Sequence, residues 1–105
     1  MNKICTYLGF AKKSGNLFMG SDTCIMNMKK GRVKLLIVTE DCADNSKKKL
    51  VNSAKNCNVP YRIFGETDVL SHAAGSPGRT SFAITDDNFA KVLIENIDNK
   101  NTAEK

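Results

Sequence analysis

Catalysis by a small domain needs a base beside a nucleophile, a pair of cooperating carboxylates, or a metal site. His72 is the one histidine in 105 residues. It falls in Leu70-Ser71-His72-Ala73-Ala74-Gly75, on a short predicted helix, where a solvent-exposed histidine is expected and a general base is not. Glu40 and Asp41 are adjacent carboxylates at the C-terminal end of a predicted strand, where α/β folds often gather their sites. Neighbours on a strand point to opposite faces, so these two read as loop and helix-cap residues. Cys5, Cys24, Cys42 and Cys57 are widely spaced with no Cys-x-x-Cys pair, which argues against a metal site. They are expected to be reduced thiols, with Cys5, Cys24 and Cys57 as small core residues. Phosphate cradles are missing as well. Gly15-Asn16-Leu17-Phe18-Met19-Gly20 lacks the Lys-Ser/Thr of a phosphate loop, and Gly75-Ser76-Pro77-Gly78 precedes a strand instead of a helix. No enzymatic activity, cofactor or metal is expected.

The turn Gly20-Ser21-Asp22-Thr23 points to a different chemistry. It opens a helix that closes at Gly31. The first N–H groups of a helix lack intrahelical acceptors and its dipole is positive there, so such a turn is a candidate contact for an anion or a polynucleotide. Ser21 or Asp22 is the expected N-cap. Two further loops, Glu40 to Asp44 and Gly75 to Arg79, can meet this turn. That requires the strands ending at Met19 and Thr39 to open at one end of a sheet and the strand beginning at Ser81 to start there.

The elements that would hold these loops follow from apolar spacing. A first helix from Asn2 to Ser14 turns Ile4, Cys5, Leu8 and Ala11 inward, and Leu17 to Met19 is a short strand. The second helix buries Cys24, Ile25 and Met28. Leu35-Leu36-Ile37-Val38 is an unbroken apolar run, expected as a central strand covered on both faces. A third helix, capped within Asp44-Asn45-Ser46, buries Leu50, Ala54 and Cys57 and turns Lys47, Lys48, Lys49 and Lys55 mostly outward. Then come a strand from Tyr61 to Phe64 and a short helix capped by Thr67 with Val69, Leu70 and Ala73 inward. A strand from Ser81 to Thr85 and a helix capped by Asp86 or Asp87, running through Phe89, Leu93 and Ile97, complete the series. The alternation predicts an α/β fold, a three-layer α/β/α sandwich with a mixed sheet of about four strands. Strand order cannot be read from periodicity. One domain over 1–97 and a frayed polar tail over 98–105 are expected.

Charge is unevenly placed. Residues 1–55 carry 11 Lys or Arg against 4 Asp or Glu, whereas residues 56–105 carry 5 against 7. A basic face of this kind suits a partner with a phosphate backbone, and a merely solvated surface is the competing reading. No apolar run approaches the length of about 20 residues needed to span a membrane, and the N-terminus has no signal-peptide pattern, so a cytoplasmic location is expected.

In order and spacing, several stretches resemble a known family. They are Leu8-Gly9-Phe10-Ala11 with Ser14-Gly15, Gly20-Ser21-Asp22 leading to Gly31, Lys34 to Asp41, Asn45-Ser46-Lys47-Lys48, Val59-Pro60, and Phe82-Ala83-Ile84-Thr85 before Asn88-Phe89-Ala90. Together they are similar to the ribosomal-protein family of kink-turn RNA binders, the L-seven-Ae and L-thirty-e group, most closely its small bacterial YlxQ-type members. The resemblance covers about residues 2–97. It implies an α/β/α sandwich that grips a sharply bent RNA through a Gly-x-Asn-Glu-x-x-Lys pattern at the start of the second helix and through the loop before the last strand. Gly20 matches the glycine, Ser21 the variable position, Asp22 the asparagine, Thr23 the glutamate and Met26 the lysine, while Ser76, Pro77, Gly78 and Arg79 form the second loop. Glu40 lies on the same loop edge.

Two departures alter the chemistry. Asp22 accepts hydrogen bonds without donating, which favours a base amino or imino group over phosphate. Met26 removes one phosphate-neutralising charge, for which Lys12, Lys13, Lys29 or Lys30 are the expected compensation. The implied function is non-catalytic binding of ribosomal or other structured RNA by a monomer, with ribosome or ribonucleoprotein components as further partners. The alternative is a protein-interaction adaptor that keeps the fold and uses an apolar surface around Met26. Exposed Met26 among apolar neighbours would favour the adaptor; lysines around the turn would favour RNA.

Overall fold

The computed structural model describes residues 3–103, with side chains to Asn99. The elements run α1 (Lys3–Lys13), β1 (Leu17–Met19), α2 (Ser21–Lys29), β2 (Leu35–Val38), α3 (Asp44–Asn56), β3 (Tyr61–Ile63), α4 (Thr67–Ala73), β4 (Ser81–Ile84) and α5 (Asp87–Ala103). The strands form one mixed sheet in the order β1-β4-β2-β3. β4 pairs antiparallel with β1 (Met19 opposite Phe82) and with β2 (Ile37 opposite Phe82), and β2 pairs parallel with β3.

Two cores flank the sheet, because alternate strand residues face opposite sides. Leu35, Ile37, Phe82 and Ile84 pack under α1, α4 and α5 with Ile4, Leu8, Leu70, Leu93 and Ile97. Leu36, Val38 and Ala83 pack under α2 and α3 with Cys24, Ile25, Met28, Leu50 and Ala54. The expected three-layer sandwich is therefore present, with β2 buried along its whole length. Among the described residues no helix is long and apolar enough to cross a membrane. No group of three His, Cys, Asp or Glu side chains among them is placed to hold a metal ion.

Several local expectations are corrected. The N-caps of α2, α3 and α4 are Gly20, Ala43 and Glu66, and none of the three caps its helix through its own side chain. Only at α5 does the expected cap act: Asp86 Oδ2 accepts the Phe89 N–H at 2.9 Å. Val69 is half exposed, and Ala74, one turn beyond Leu70, takes the inward place instead. Cys57, expected in the core, packs against it only partly buried, and Cys42, for which no core role was expected, is buried; none of the four cysteines forms a disulfide. Burial raises the Cys24 thiol to about 11 against a lowering hydrogen bond to Ser81. That thiol is accordingly inert at neutral pH. Helix α5 continues to Ala103 where a frayed tail was expected from Asp98, and Asp98 is held there by the Arg62 guanidinium at 2.9 and 3.2 Å. Glu104 and Lys105 lie outside the described residues.

Candidate nucleic-acid interface

β1 and β2 run the same way and β4 runs against both, so the ends of β1 and β2 and the start of β4 share one edge of the sheet. Main-chain hydrogen bonds tie the loops there: Gly20 N–H donates to Ser81 O at 3.3 Å, and Thr39 N–H donates to Thr80 O at 2.9 Å. The three loops singled out in the sequence do converge.

Gly20 adopts φ +96° and ψ 145°, a region nearly closed to residues with a Cβ. A Cβ at Gly20 would also lie 3.2 Å from Nη1 of Arg79, a tight approach to which the end of the arginine side chain would have to give way. The glycine thus brings the start of α2 and a guanidinium side by side. Its carbonyl accepts the Cys24 N–H at 2.9 Å, while no side chain caps the N–H groups of Ser21, Asp22 and Thr23 among the described residues. The turn is in this respect a donor-rich, positive helix start beside a cation.

Arg79 is held by a residue the sequence did not single out. Buried Ser71 on α4 donates its hydroxyl to Arg79 O at 2.7 Å and accepts from Arg79 N–H at 2.8 Å. The Arg79 Nε donates to Ser76 Oγ at 3.3 Å. Pro77 and Gly78 form the exposed tip between them, with Gly78 at φ +79°. No spacing in the sequence marks Ser71, because its partner is the backbone of another loop.

The two carboxylates after β2 act structurally. Glu40 Oε2 accepts the Gly65 N–H at 3.1 Å. Asp41 accepts from Thr67 through both its N–H (3.1 Å) and its hydroxyl (2.7 Å), so it caps α4 from across the edge. The Thr67 hydroxyl, with further help from Thr39 and the Thr67 N–H, holds the Asp41 carboxyl below its ordinary 3.8. A lowered carboxyl stabilises the fold above its unfolded value and ceases to do so as pH falls through its folded value. Thermal unfolding of the wild type and of Asp41→Asn should therefore differ at pH 6 and converge below pH 4, with the variant the less stable at pH 6; parallel curves at all pH values would refute the cap.

The lysines at the edge come from α3. Lys47 Nζ donates to Glu40 O at 3.0 Å, and Lys49 Nζ lies 3.6 Å from Asp22 Oδ1. The sequence marked both as outward residues, Lys47 within the Asn45-Ser46-Lys47-Lys48 landmark and Lys49 just after it. Lys12 and Lys13 lie at the other end of the sheet, where Thr85 N–H donates to Asn16 O, and do not approach the turn. Lys29 and Lys30 lie along a groove beside α2 that also receives Asp22, Ile25, Met26 and Lys49. Met26 is 49% exposed, but three lysines and an aspartate surround it and Ile25 is buried. A cleft of about 690 Å³ at the opposite end, among Met28, Val33, Cys57, Val59 and Ile94, includes none of the candidate residues.

Comparison with known proteins gives the same direction. A sequence model of the "Ribosomal protein L7Ae/L30e/S12e/Gadd45 family" matches residues 2–94. The chain is 33% identical over 91 residues to the "RNA-binding protein YlxQ" of Bacillus subtilis (strain 168), covering 87% of this chain and 91% of that protein. It is 30% identical over 97 residues to the protein of the same name from Enterococcus faecium, covering 91% and 92%. Among solved structures, a protein of unknown function from Bacillus halodurans C superposes with a TM-score of 0.90 at 26% identity, over 93% of this chain and 99% of that one. The Giardia lamblia 15.5kD RNA binding protein shares the fold, with a TM-score of 0.73 at 18% identity over 90% and 82% of the two chains.

Proposed function

Because the chain belongs to the ribosomal protein L7Ae/L30e/S12e/Gadd45 family, we propose that it is a non-catalytic RNA-binding protein that grips a kink-turn or similarly bent element of structured RNA. The observation that carries this reading is the pairing of Gly20 with Arg79. An uncapped helix start, a glycine that lets a backbone approach, and a guanidinium stand together at one edge, flanked by Lys47 and Lys49. In this reading the N–H groups of Ser21, Asp22 and Thr23 and the side chain of Asp22 face unpaired bases, while Arg79, steadied by Ser76 and Ser71, and the lysines meet phosphate. Asp22 selects a base donor, and Lys49 offsets its charge. The protein would act in the cytoplasm as a monomer, on ribosomal RNA or another RNA with a bent element, beside ribosome or ribonucleoprotein components. The same fold as a bare protein adaptor is the weaker reading, since charged residues surround Met26.

The test is a titration of the purified protein against a kink-turn RNA and an unbent duplex of equal length at 50 and 200 mM salt. Tighter binding to the bent RNA is expected, with a salt slope of about 4.5 if Arg79, Lys29, Lys30, Lys47 and Lys49 each neutralise one phosphate at about 0.9 per contact. Equal or absent binding overturns the reading and leaves the adaptor.

A further inference from the structure

Among the described residues α1 is the helix that carries cations and no carboxylate: Lys3, Lys12 and Lys13 stand on it, and none of the three has an acidic partner within ion-pair distance. Ile4, Cys5, Leu8 and Ala11 take its inward face. Lys3, Phe10 and Lys13, seven and three residues apart, therefore share the outward face, and all three are exposed. Phe10 is 50% exposed, an unusual place for a large apolar ring. Its ring does not swing freely. Tyr7 meets it edge-on, with centroids 6.3 Å apart at 76°, and Tyr7 in turn meets Phe89 at 6.4 Å and 60°. Tyr7 and Phe89 both pack against the core under α1, α4 and α5. Phe10 is thus anchored to the core through two other rings, while half of its own surface is left to solvent.

We infer that the outward face of α1 is a second RNA site, one that takes a single-stranded segment with a base stacked on Phe10 and phosphates at Lys3, Lys12 and Lys13. Unpaired bases stack on aromatic rings whatever their sequence, and flanking cations follow the backbone. In a duplex the base faces are already covered by one another, so the ring selects a single strand. A ring fixed in advance loses little freedom on binding, which favours the contact. Charge complementarity decides the occupant: three cations around one ring suit a polyanion with flat apolar groups, whereas a docked protein helix would need a continuous apolar stripe. Lys3 and Lys13 lie about 15 Å apart along the helix, room for about four stacked nucleotides at roughly 3.4 Å each. The site goes beyond the proposed grip on bent RNA and stands or falls separately. α1 belongs to the layer opposite α2 and α3, and its Lys12–Lys13 end lies at the far end of the sheet from the turn.

The deciding experiment titrates the full chain with a fluorescein-labelled oligouridylate of about twelve nucleotides, which contains no bent element. Wild type is compared with Phe10→Ala, Phe10→Leu and the triple variant Lys3→Ala/Lys12→Ala/Lys13→Ala, at 50 and 200 mM salt. Both Phe10 variants should lose about tenfold in affinity with the salt slope unchanged, since a stacked base is lost but no charge. The triple variant should lose about 2 from the slope, at about 0.7 per contact on a single strand. Circular dichroism verifies folding, and all four substituted positions are exposed. A wild type that does not bind the oligouridylate, or Phe10 variants that bind it as wild type does, overturns the site. Full affinity in Phe10→Leu with loss in Phe10→Ala overturns stacking and makes the ring an apolar contact of the kind a protein partner uses. The same variants titrated with a tail-free kink-turn RNA should match wild type. A wild type with no preference for that RNA over duplex, but with the Phe10 effect on oligouridylate intact, overturns the proposed function and leaves this site standing.

Discussion

Gly20→Ala is expected to weaken binding to a bent RNA by about 10- to 100-fold and to lower stability by about 1–3 kcal/mol. The stability loss comes from the backbone, because φ +96° with ψ 145° is a conformation that residues with a Cβ adopt only under strain of that size. The affinity loss has a separate origin. The new methyl group would stand 3.2 Å from Arg79 Nη1, so the guanidinium must give way by a few tenths of an ångström, and the methyl would crowd the approach to the first N–H groups of α2. A charge-assisted hydrogen bond is worth about 1.5–3 kcal/mol, which corresponds to the stated range of affinity. Arg79→Ala separates the two effects. It should reproduce most of the affinity loss with little change in melting temperature, because the hydrogen bonds with Ser71 use Arg79 backbone atoms. Full affinity in both variants would move the binding site away from this turn.

Phe82→Ala should be the most damaging single core substitution. Phe82 is fully buried at the centre of β4, opposite Met19 on one side and Ile37 on the other, and its ring fills the core under α1, α4 and α5. Truncating a buried phenylalanine costs about 3–5 kcal/mol through lost transfer energy and the cavity left behind. Against a total of about 5–15 kcal/mol, that removes a large fraction of the stability. A fall in melting temperature on the order of 20 °C follows for a domain of this size. Ala83, the next residue on the strand, faces the other core. Substituting Phe82 should therefore also loosen the joint between layers at Ser81, whose carbonyl holds Gly20, and RNA affinity should fall before the chain unfolds. A shift of less than about 5 °C would mean that the core collapses around the missing ring.

The elements, the class of fold and most of the buried residues were legible in the apolar spacing of the chain. Ile4, Leu8 and Ala11 on α1, the run Leu35–Val38, and Leu93 with Ile97 on α5 all stand where their spacing placed them. These are local properties: a helix or strand must bury one face, and the repeat of apolar residues states which face it is. The convergence of the three loops was legible too, given two strands opening at one edge.

Strand order, helix capping and the placement of charge depend instead on residues distant in the chain. Strand order rests on β4 entering between β1 and β2, and no local pattern encodes that pairing. Helix capping passed from local side chains to remote ones, as Asp41 took over the start of α4, 26 residues away, and left Thr67 as the donor. Charge followed the same rule. Lys12 and Lys13 are closer in sequence to Gly20 than Lys47 and Lys49 are, yet α1 ends at the opposite side of the sheet, while α3 begins at the edge where the turn opens. An electrostatic site is defined by distance in space, and distance in space is fixed by how the strands pair.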